Sequence, residues 1–201
     1  NWQGVFQGSG HLPMAGYRQR MNRLARNVLG EAQATQFFDL LAKSERPLIY
    51  AGGGVINGGA TKALREFSRE FNIPVVTTLM GLGVDDTTHP LSMRMLGMHG
   101  AAFANYAVDD CDFLIALGAR FDDRVAGNPP KFAKHAKHIA QIDIDASEIN
   151  KVKSVHWHHV GLLPEALQAL ISHGRRTRFA RDWSAWLKHC ADMKAAHPMN
   201  Y

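Results

Sequence analysis

Residues 47–54 read PLIYAGGG, a short apolar run that ends in three consecutive glycines. An uninterrupted apolar run of this length indicates a strand buried on both faces, and glycines directly after it indicate a tight turn. Strands of this kind are typical of parallel sheets that are covered by helices. The stretch therefore predicts an α/β fold, and the segments on either side agree with it.

Helical and strand patterns alternate along the rest of the chain. Apolar residues at helical spacing predict helices over residues 32–43, 60–71, 101–108, 164–172 and 181–195. Apolar runs predict strands over residues 48–51, 73–78, 112–118 and 138–145, with a long loop over 81–96 and a short helix over 146–150. The alternation predicts the α/β class: a Rossmann-like, doubly wound parallel sheet of about six strands with helices on both faces.

The pattern also predicts where the domain begins and ends. Residues 1–30 are irregular and rich in Gly, Gln and Arg, and we interpret them as an N-terminal arm or linker. Residues 31–175 form the predicted domain, and residues 176–201 form a C-terminal helix or linker. The chain begins with Asn1 rather than Met and stops abruptly at Tyr201, which suggests a piece of a longer protein.

Composition argues against several functional classes. The net charge is +5 and the basic clusters lie at residues 18–26 and 175–181, outside the predicted sheet, so solvated arms explain them better than nucleic-acid binding. No apolar run reaches the roughly 18 residues of a membrane span. The two cysteines lack CxxC spacing, which fits a reducing cytoplasm. His156, His158 and His159 have no acidic or cysteine partners at ligand spacing, so we expect a surface or strand-edge feature rather than a metal site.

Polar and glycine residues follow each predicted strand. Open α/β sheets bind ligands at the carboxyl ends of their strands. Those ends carry Gly52-Gly53-Gly54, Thr77-Thr78-Leu79, Gly118-Ala119-Arg120 and Asp143-Ile144-Asp145. Glycines allow close approach to a pyrophosphate, an arginine can bind its oxygens, and an aspartate can accept from ribose hydroxyls. Two of these strand ends also have a plain alternative: a simple turn at Gly52 to Gly54, and a helix N-cap at Asp143 to Asp145.

Two further segments are rich in potential binding groups. Residues 95–100 read MLGMHG, with glycines flanking His99 at a predicted helix start, and the alternative is a loop histidine beside a glycine hinge. Residues 120–125 read RFDDRV, with four charges after a buried strand, and the alternative is a salt-bridged loop. The chain contains neither GxSxG nor GxxxxGK[ST], so hydrolase and kinase interpretations lack their motifs.

These segments resemble a known family. Residues 50–54 (YAGGG), 77–83 (TTLMGLG), 95–100 (MLGMHG), 105–108 (NYAV), 118–127 (GARFDDRVAG) and 142–149 (IDIDASEI) resemble, in order and spacing, the middle domain of the catalytic large subunit of acetolactate synthase, or acetohydroxyacid synthase. The resemblance covers essentially the whole chain. It implies a thiamine-diphosphate-dependent enzyme that also binds FAD and condenses pyruvate with a second 2-keto acid in branched-chain amino acid synthesis.

The resemblance also implies a division of labour among three domains. The first supplies the glutamate that activates the thiazolium ring, and the third holds the diphosphate through Mg²⁺ with a GDG motif. No GDG motif is present in this chain. The resemblance therefore implies that the chain is inactive alone, contacts the other domains of its polypeptide, and works in a homodimer or tetramer, with a small regulatory subunit as a further partner.

Site residues carry over position by position. FAD contacts are implied for Gly52, Gly53, Gly54, Thr77, Thr78, Leu79, Leu96, Gly97, Met98, His99, Gly118, Arg120, Asp122, Val125, Asp143 and Ile144. Asp123 and Arg124 are implied to face the active centre, where Arg124 would bind the carboxylate of the 2-keto acid in a bidentate contact. Leu162 stands where the family usually has an aspartate near adenine.

Three other functions remain open from the sequence. The chain could be a stand-alone flavin or nucleotide binder, which FAD titration would detect. It could belong to a related oxidase or glyoxylate carboligase, against which the RFDDRV segment argues. It could also be a structural piece that mediates subunit packing.

Overall fold

A computed structural model of the chain describes residues 15–199. Within that range the helices are α1 Ala15–Arg26, α2 Glu31–Lys43, α3 Gly53–Asn57, α4 Thr61–Glu70, α5 Ala102–Asp110, α6 Leu163–Thr177 and α7 Ser184–Ala196. The strands are β1 Pro47–Ala51, β2 Val75–Thr77, β3 Ser92–Met95, β4 Phe113–Leu117, β5 His138–Asp143 and β6 Trp157–Val160. Two 3₁₀ turns, Leu79–Gly81 and Ala146–Glu148, follow β2 and β5.

The six strands form one sheet in the order β3-β2-β1-β4-β5-β6. Every neighbouring pair is parallel. The chain starts in the middle at β1, runs outward to β3, and then crosses back to β4 and runs outward the other way. The strand order therefore reverses between β1 and β4, which is where a crevice opens in doubly wound folds. The predicted fold class is confirmed.

Helices cover both faces of the sheet. Alternate residues of β1 point to opposite sides: Ile49 packs with α2, α4 and α6, whereas Tyr50 packs with α5 and α7. The core on the Ile49 side of the sheet is rich in aromatic rings. Phe37 contacts Phe113 and Trp157 there, at centroid distances of 5.7 and 5.1 Å. All five residues of β1 and of β4 are buried, as expected for central parallel strands.

Two sequence expectations were wrong. The predicted loop over residues 81–96 contains β3, which pairs with β2 at the sheet edge through a register shift. It is four residues long and Arg94 has φ +59°, so it carries no alternating pattern. The N-terminal stretch is not irregular throughout, because Ala15–Arg26 is helical. This helix is polar and has no acidic residue in its first turn, so the sequence pattern did not predict it.

The amino edge of the sheet is closed by hydrogen bonds. The buried carboxylate of Asp112 accepts from the backbone N–H groups of Arg46 and Glu45 at 2.8 and 2.9 Å. The indole N–H of Trp186 donates to the Pro47 carbonyl at 2.9 Å, and that of Trp183 donates to the Phe71 carbonyl at 2.8 Å. Backbone groups at the strand and helix ends of this edge therefore have hydrogen-bond partners within the protein.

No helix among residues 15–199 has the length and apolar character needed to cross a membrane.

Candidate functional site

A groove of about 800 Å³ runs along the carboxyl edge of the sheet. It crosses the ends of β2, β1, β4, β5 and β6, five strands that span about 19 Å at the usual strand spacing. Ligand pockets commonly enclose roughly 300–1,000 Å³, so the groove can hold an elongated small molecule. The groove lies where the strand order reverses, between β1 and β4. The opposite, amino edge of the sheet is instead closed by hydrogen bonds.

Two glycine turns pack together to form the floor of the groove. The Gly54 N–H donates to the Gly118 carbonyl at 3.0 Å, and a β-carbon on Gly54 would lie 2.7 Å from the Gly118 α-carbon. A β-carbon on Gly52 would overlap the Gly118 carbonyl oxygen. Gly118 has φ +54°, a left-handed conformation that suits glycine. The backbones of the β1 and β4 turns thus meet without intervening side chains and line the groove.

The end of β2 supplies an apolar wall. The Thr78 hydroxyl accepts from the Gly81 N–H at 3.1 Å and so caps the 3₁₀ turn. This turn leaves Leu79 and Met80 68% and 71% exposed, although both are large and apolar. A β-carbon on Gly53 would lie 2.8 Å from the Met80 β-carbon, so Met80 sits directly against the glycine turn. Exposed apolar side chains beside a groove indicate a ligand or partner surface.

The segment after β4 brings charges to the middle of the groove. Arg120, Asp123 and Arg124 are exposed there. Asp122 holds the turn: its carbonyl accepts from the Val125 and Ala126 N–H groups at 3.1 and 2.7 Å, and its carboxylate accepts from the Arg124 N–H at 3.2 Å. Two arginines in an exposed turn can make charge-assisted bonds to phosphate or carboxylate oxygens.

The same segment is anchored on the side away from the groove. Phe121 is buried in the left-handed region at φ +55° and lies against the rings of Tyr50 and Phe132, at centroid distances of 5.3 and 6.1 Å. Aromatic pairs at these separations are favourable. The anchored ring fixes where the charged turn begins.

The end of β5 carries two aspartates in different environments. Burial raises the pKa of Asp143, whose carboxylate also accepts from the Asp145 N–H at 2.9 Å. The pKa of Asp145 is lowered, first by a hydrogen bond from the Ser147 backbone and then by one from the Ser147 hydroxyl. Both carboxylates can accept hydrogen bonds from ligand hydroxyls. Asp145 also lies 3.6 Å from the Arg20 guanidinium of α1.

The structure brings most of the proposed site residues together. The groove lining includes Gly52, Gly53, Gly54, Thr78, Leu79, Gly118, Arg120, Asp122, Asp123, Arg124, Val125, Asp143 and Ile144. Thr77 and Leu96 are buried and do not line it. Gly97, Met98 and His99 lie outside the lining, in a loop where the Met98 N–H donates to the Arg124 carbonyl at 3.4 Å. Ligand contacts by all of these residues stay predictions.

Sequence reasoning missed several lining residues. Met80, Asn57 and Glu148 line the groove from the 3₁₀ turns and the short α3. Their side-chain directions depend on turns whose geometry no periodicity reveals. Leu162 lines the groove at the β6 end, so the residue that departs from the family pattern faces the same space as Asp143. The Gly-Leu-Leu-Pro run at residues 161–164, between a strand and a helix, is the signal that could have indicated this end.

The side chains of the groove suit an elongated ligand that combines a flat ring, a pyrophosphate and a ribose. Among residues 15–199 no group of three or more His, Cys, Asp or Glu side chains is arranged to hold a metal. The exposed Leu79 and Met80 suit a flat apolar ring, the bare glycine turns and Arg120 suit a pyrophosphate, and Asp143 suits ribose hydroxyls. The order of these features along the groove matches the order of groups in a dinucleotide.

Comparison with known proteins identifies relatives. The family described as "Thiamine pyrophosphate enzyme, central domain" matches residues 34–170. Acetolactate synthase 1, chloroplastic, of Nicotiana tabacum is 42% identical over 192 residues, which are 94% of this chain and 28% of that protein. The acetolactate synthase isozyme 2 large subunit of Escherichia coli (strain K12) is 42% identical over 170 residues, 85% of this chain and 30% of the relative.

A third relative matches almost the whole chain. Acetolactate synthase 1, chloroplastic, of Oryza sativa subsp. japonica is 43% identical over 200 residues, 98% of this chain and 30% of that protein. The chain thus spans less than a third of the length of these relatives. The all-parallel sheet, the groove at its reversal point and the family match agree, and the chain belongs to the family of thiamine pyrophosphate enzyme central domains.

Proposed function

We propose that this chain is the FAD-binding central domain of an acetolactate synthase-type enzyme. The observation that carries the proposal is the groove, whose lining combines bare glycine turns, exposed Leu79 and Met80, Arg120, and Asp143 in one continuous space. Relatives named acetolactate synthase at 42–43% identity support the choice of enzyme.

FAD would lie across the ends of the strands. Its isoalloxazine ring would pack on Leu79 and Met80, and its pyrophosphate would lie over the Gly52 to Gly54 turn within reach of Arg120. Asp143 would accept from a ribose hydroxyl beside Ile144 and Leu162. Bound FAD would supply a flat redox-capable ring, but acetolactate synthesis involves no net oxidation, so its contribution in that reaction would be structural.

Asp123 and Arg124 would face the reacting molecules of the complete enzyme. Both are exposed at the rim of the groove, and the Asp122 turn holds the Arg124 backbone. The Arg124 guanidinium would bind the carboxylate of a 2-keto acid by two parallel hydrogen bonds. In the complete enzyme, thiamine diphosphate and Mg²⁺ held by other domains would decarboxylate pyruvate, and the two-carbon unit would be joined to the second 2-keto acid.

The proposal extends to assembly and location. The chain would contact the other domains of its own polypeptide within a homodimer or tetramer, with a small regulatory subunit as a further partner. We place the enzyme in the cytoplasm. Leu162 in the groove supports weaker adenine recognition than an aspartate there would give.

The experiment is an FAD titration of the 201-residue chain. We expect flavin fluorescence to be quenched on binding and the melting temperature to rise with FAD concentration, because a ligand that binds only the folded state stabilises it. Riboflavin and ADP, tested separately, should bind more weakly, since each fills only one end of the groove. An unchanged melting temperature and fluorescence at millimolar FAD would exclude FAD binding by this chain.

A second assay tests the expected lack of activity. Without the thiamine-activating glutamate and the diphosphate site, the chain supplied with pyruvate, thiamine diphosphate, Mg²⁺ and FAD should form no acetolactate. Acetolactate formation by the purified chain above the rate without protein would contradict the proposed division of labour.

A further inference from the structure

The side chain of Asn105 of α5 bonds to the loop at residues 96–100, which backbone hydrogen bonds also hold, among them one from the Leu96 N–H to the Thr77 carbonyl at 3.0 Å. The amide oxygen of Asn105 accepts from the Gly97 N–H at 2.9 Å, and its amide nitrogen donates to the Gly97 carbonyl at 3.1 Å. The same nitrogen lies 3.4 Å from the Ala101 carbonyl. The Asn105 side chain thus bonds to both the N–H and the carbonyl of Gly97. This pair of bonds fixes the orientation of the Gly97 backbone, as a neighbouring strand would.

The residue held by Asn105 has a conformation that glycine favours. Gly97 has φ +100°, far inside the region that side-chain-bearing residues avoid. Further backbone bonds close the loop around it: the Gly100 N–H donates to the Gly97 carbonyl at 3.0 Å, and the Ala101 N–H donates to the Met95 carbonyl at 2.8 Å. Asn105 is therefore the side chain that locks a loop which glycine alone would leave free to move.

The locked loop contacts the charged turn of the groove. A β-carbon on Gly97 would lie 3.1 Å from the Arg124 carbonyl oxygen and 3.6 Å from a methyl of Val125. The Met98 N–H points at the same Arg124 carbonyl at 3.4 Å. Met98 itself is 73% exposed beside it. The Arg124 backbone therefore lies directly against the loop of Gly97, and Gly97 is in turn bonded to Asn105.

We infer that Asn105 is a positioning residue for the groove: through the Gly97 loop it holds the turn that carries Arg120 to Val125. Asn105 does not line the groove and would not touch a ligand. The part of this inference that concerns FAD affinity rests on the proposed function. The part that concerns the two loops does not.

The test is amide hydrogen exchange on three forms of the chain without ligand: wild type, Asn105→Leu and Asn105→Asp. Leucine has a similar size but can make neither bond to Gly97. We expect exchange in Asn105→Leu to speed up about tenfold or more both at residues 97–100 and at residues 124–126, since two hydrogen bonds of about 1 kcal/mol each are lost. The exposed neighbour Tyr106→Phe is the control and should match wild type.

Asn105→Asp separates hydrogen bonding from space filling and guards against a misfolded leucine variant. Its carboxylate can accept from the Gly97 N–H, but only the protonated form can donate to the Gly97 carbonyl. Relative to wild type at the same pH, loop protection should therefore be better near pH 4, where an ordinary aspartate is about half protonated, than at pH 8. A role limited to filling space would give no such pH dependence, because Asn and Asp have the same shape.

The outcomes are distinct. Exchange within twofold of wild type at both segments in both variants would overturn the inference. Faster exchange at residues 97–100 with no change at residues 124–126 would overturn the coupling of the two loops. If wild type binds FAD, Asn105→Leu should bind it about tenfold more weakly, with the flavin absorbance spectrum of the bound form shifted. If wild type does not bind FAD, the proposed function fails while the exchange result still decides the role of Asn105.

Discussion

The two edges of the sheet are built differently. At the amino edge, Asp112, Trp183 and Trp186 give hydrogen-bond partners to the backbone where strands begin and helices end. At the carboxyl edge, glycine turns, charged side chains and exposed apolar residues border an open groove. The same strands run into both edges, so the difference lies in the residues that flank the strands rather than in the strands themselves. One edge contributes stability, and the other is available for binding.

The largest expected effect comes from the closed edge. Trp186→Ala removes a side chain that is 2% exposed and bonded to the Pro47 carbonyl, and should lower the free energy of unfolding by about 3–5 kcal/mol. Trp186→Phe keeps most of the volume and should lose about 1 kcal/mol. Urea unfolding measures both. The FAD affinity of the folded fraction should not change in either variant. A loss of affinity in the folded protein would contradict the separation of a stabilising amino edge from a binding carboxyl edge.

The next largest effect is expected at Gly118, where one substitution should change both stability and ligand binding. Gly118→Ala places a β-carbon at φ +54° and 2.7 Å from the Gly54 α-carbon, so the two glycine turns must separate. We expect a loss of about 2–3 kcal/mol in unfolding free energy, and weaker FAD binding in the same titration. Gly59→Ala, also at positive φ but with open space around it, is the control for backbone strain alone. Equal destabilisation by both variants would show that the packing of the turns contributes nothing.

A smaller effect, confined to binding, is expected for Arg120. Its side chain is exposed, so Arg120→Ala should change the unfolding free energy by no more than about 0.5 kcal/mol. FAD affinity should fall roughly tenfold, equivalent to about 1.4 kcal/mol, because one charge-assisted bond is lost. The exposed Arg69 on α4 provides the matched control, and Arg69→Ala should bind FAD like wild type. Similar loss in both variants would mean that overall charge, not the groove, sets affinity.

The smallest effect concerns pH. Burial raises the pKa of Asp143, so the folded state disfavours the ionised carboxylate and this residue costs stability as pH rises through its raised pKa. Asp143→Asn should therefore be slightly more stable than wild type at pH 7, within about 1 kcal/mol. The advantage should vanish in acid, where the wild-type carboxyl is neutral. Unfolding curves at several pH values test this, and a difference that grows in acid would contradict it.

The sequence predicted the central strands well and the edges less well. Uninterrupted apolar runs at Leu48 and Phe113 identify β1 and β4 because both faces of these strands are buried. The edge strand β3 is short and irregular, so neither alternation nor an apolar run reveals it. Most of the residues predicted at the carboxyl ends of strands line the groove, since parallel strands end at a common edge, and their ligand contacts stay predictions.

The prediction of the site was limited because the sequence does not show in which direction each side chain points. Thr77 and Thr78 belong to the same sequence motif and are both buried, but Thr77 is still within β2 and does not line the groove, whereas Thr78 begins the turn and does. Met98 and His99 follow Gly97, which has φ +100°, and lie outside the groove lining, and the Met98 N–H donates to the Arg124 carbonyl. The role of Asn105 depends on a contact across eight residues, which residue type alone does not specify.

The most direct test of the two-edge account is a backbone amide NMR titration of the chain with FAD. We predict shifts concentrated at the carboxyl edge, at Gly52 to Gly54, Gly118, Arg120 and Asp143, with little change at Glu45, Arg46 and Asp112 on the amino edge. Saturable shifts at the amino edge or on the outer helices, with the glycine turns unaffected, would contradict the assignment of the groove as the cofactor site.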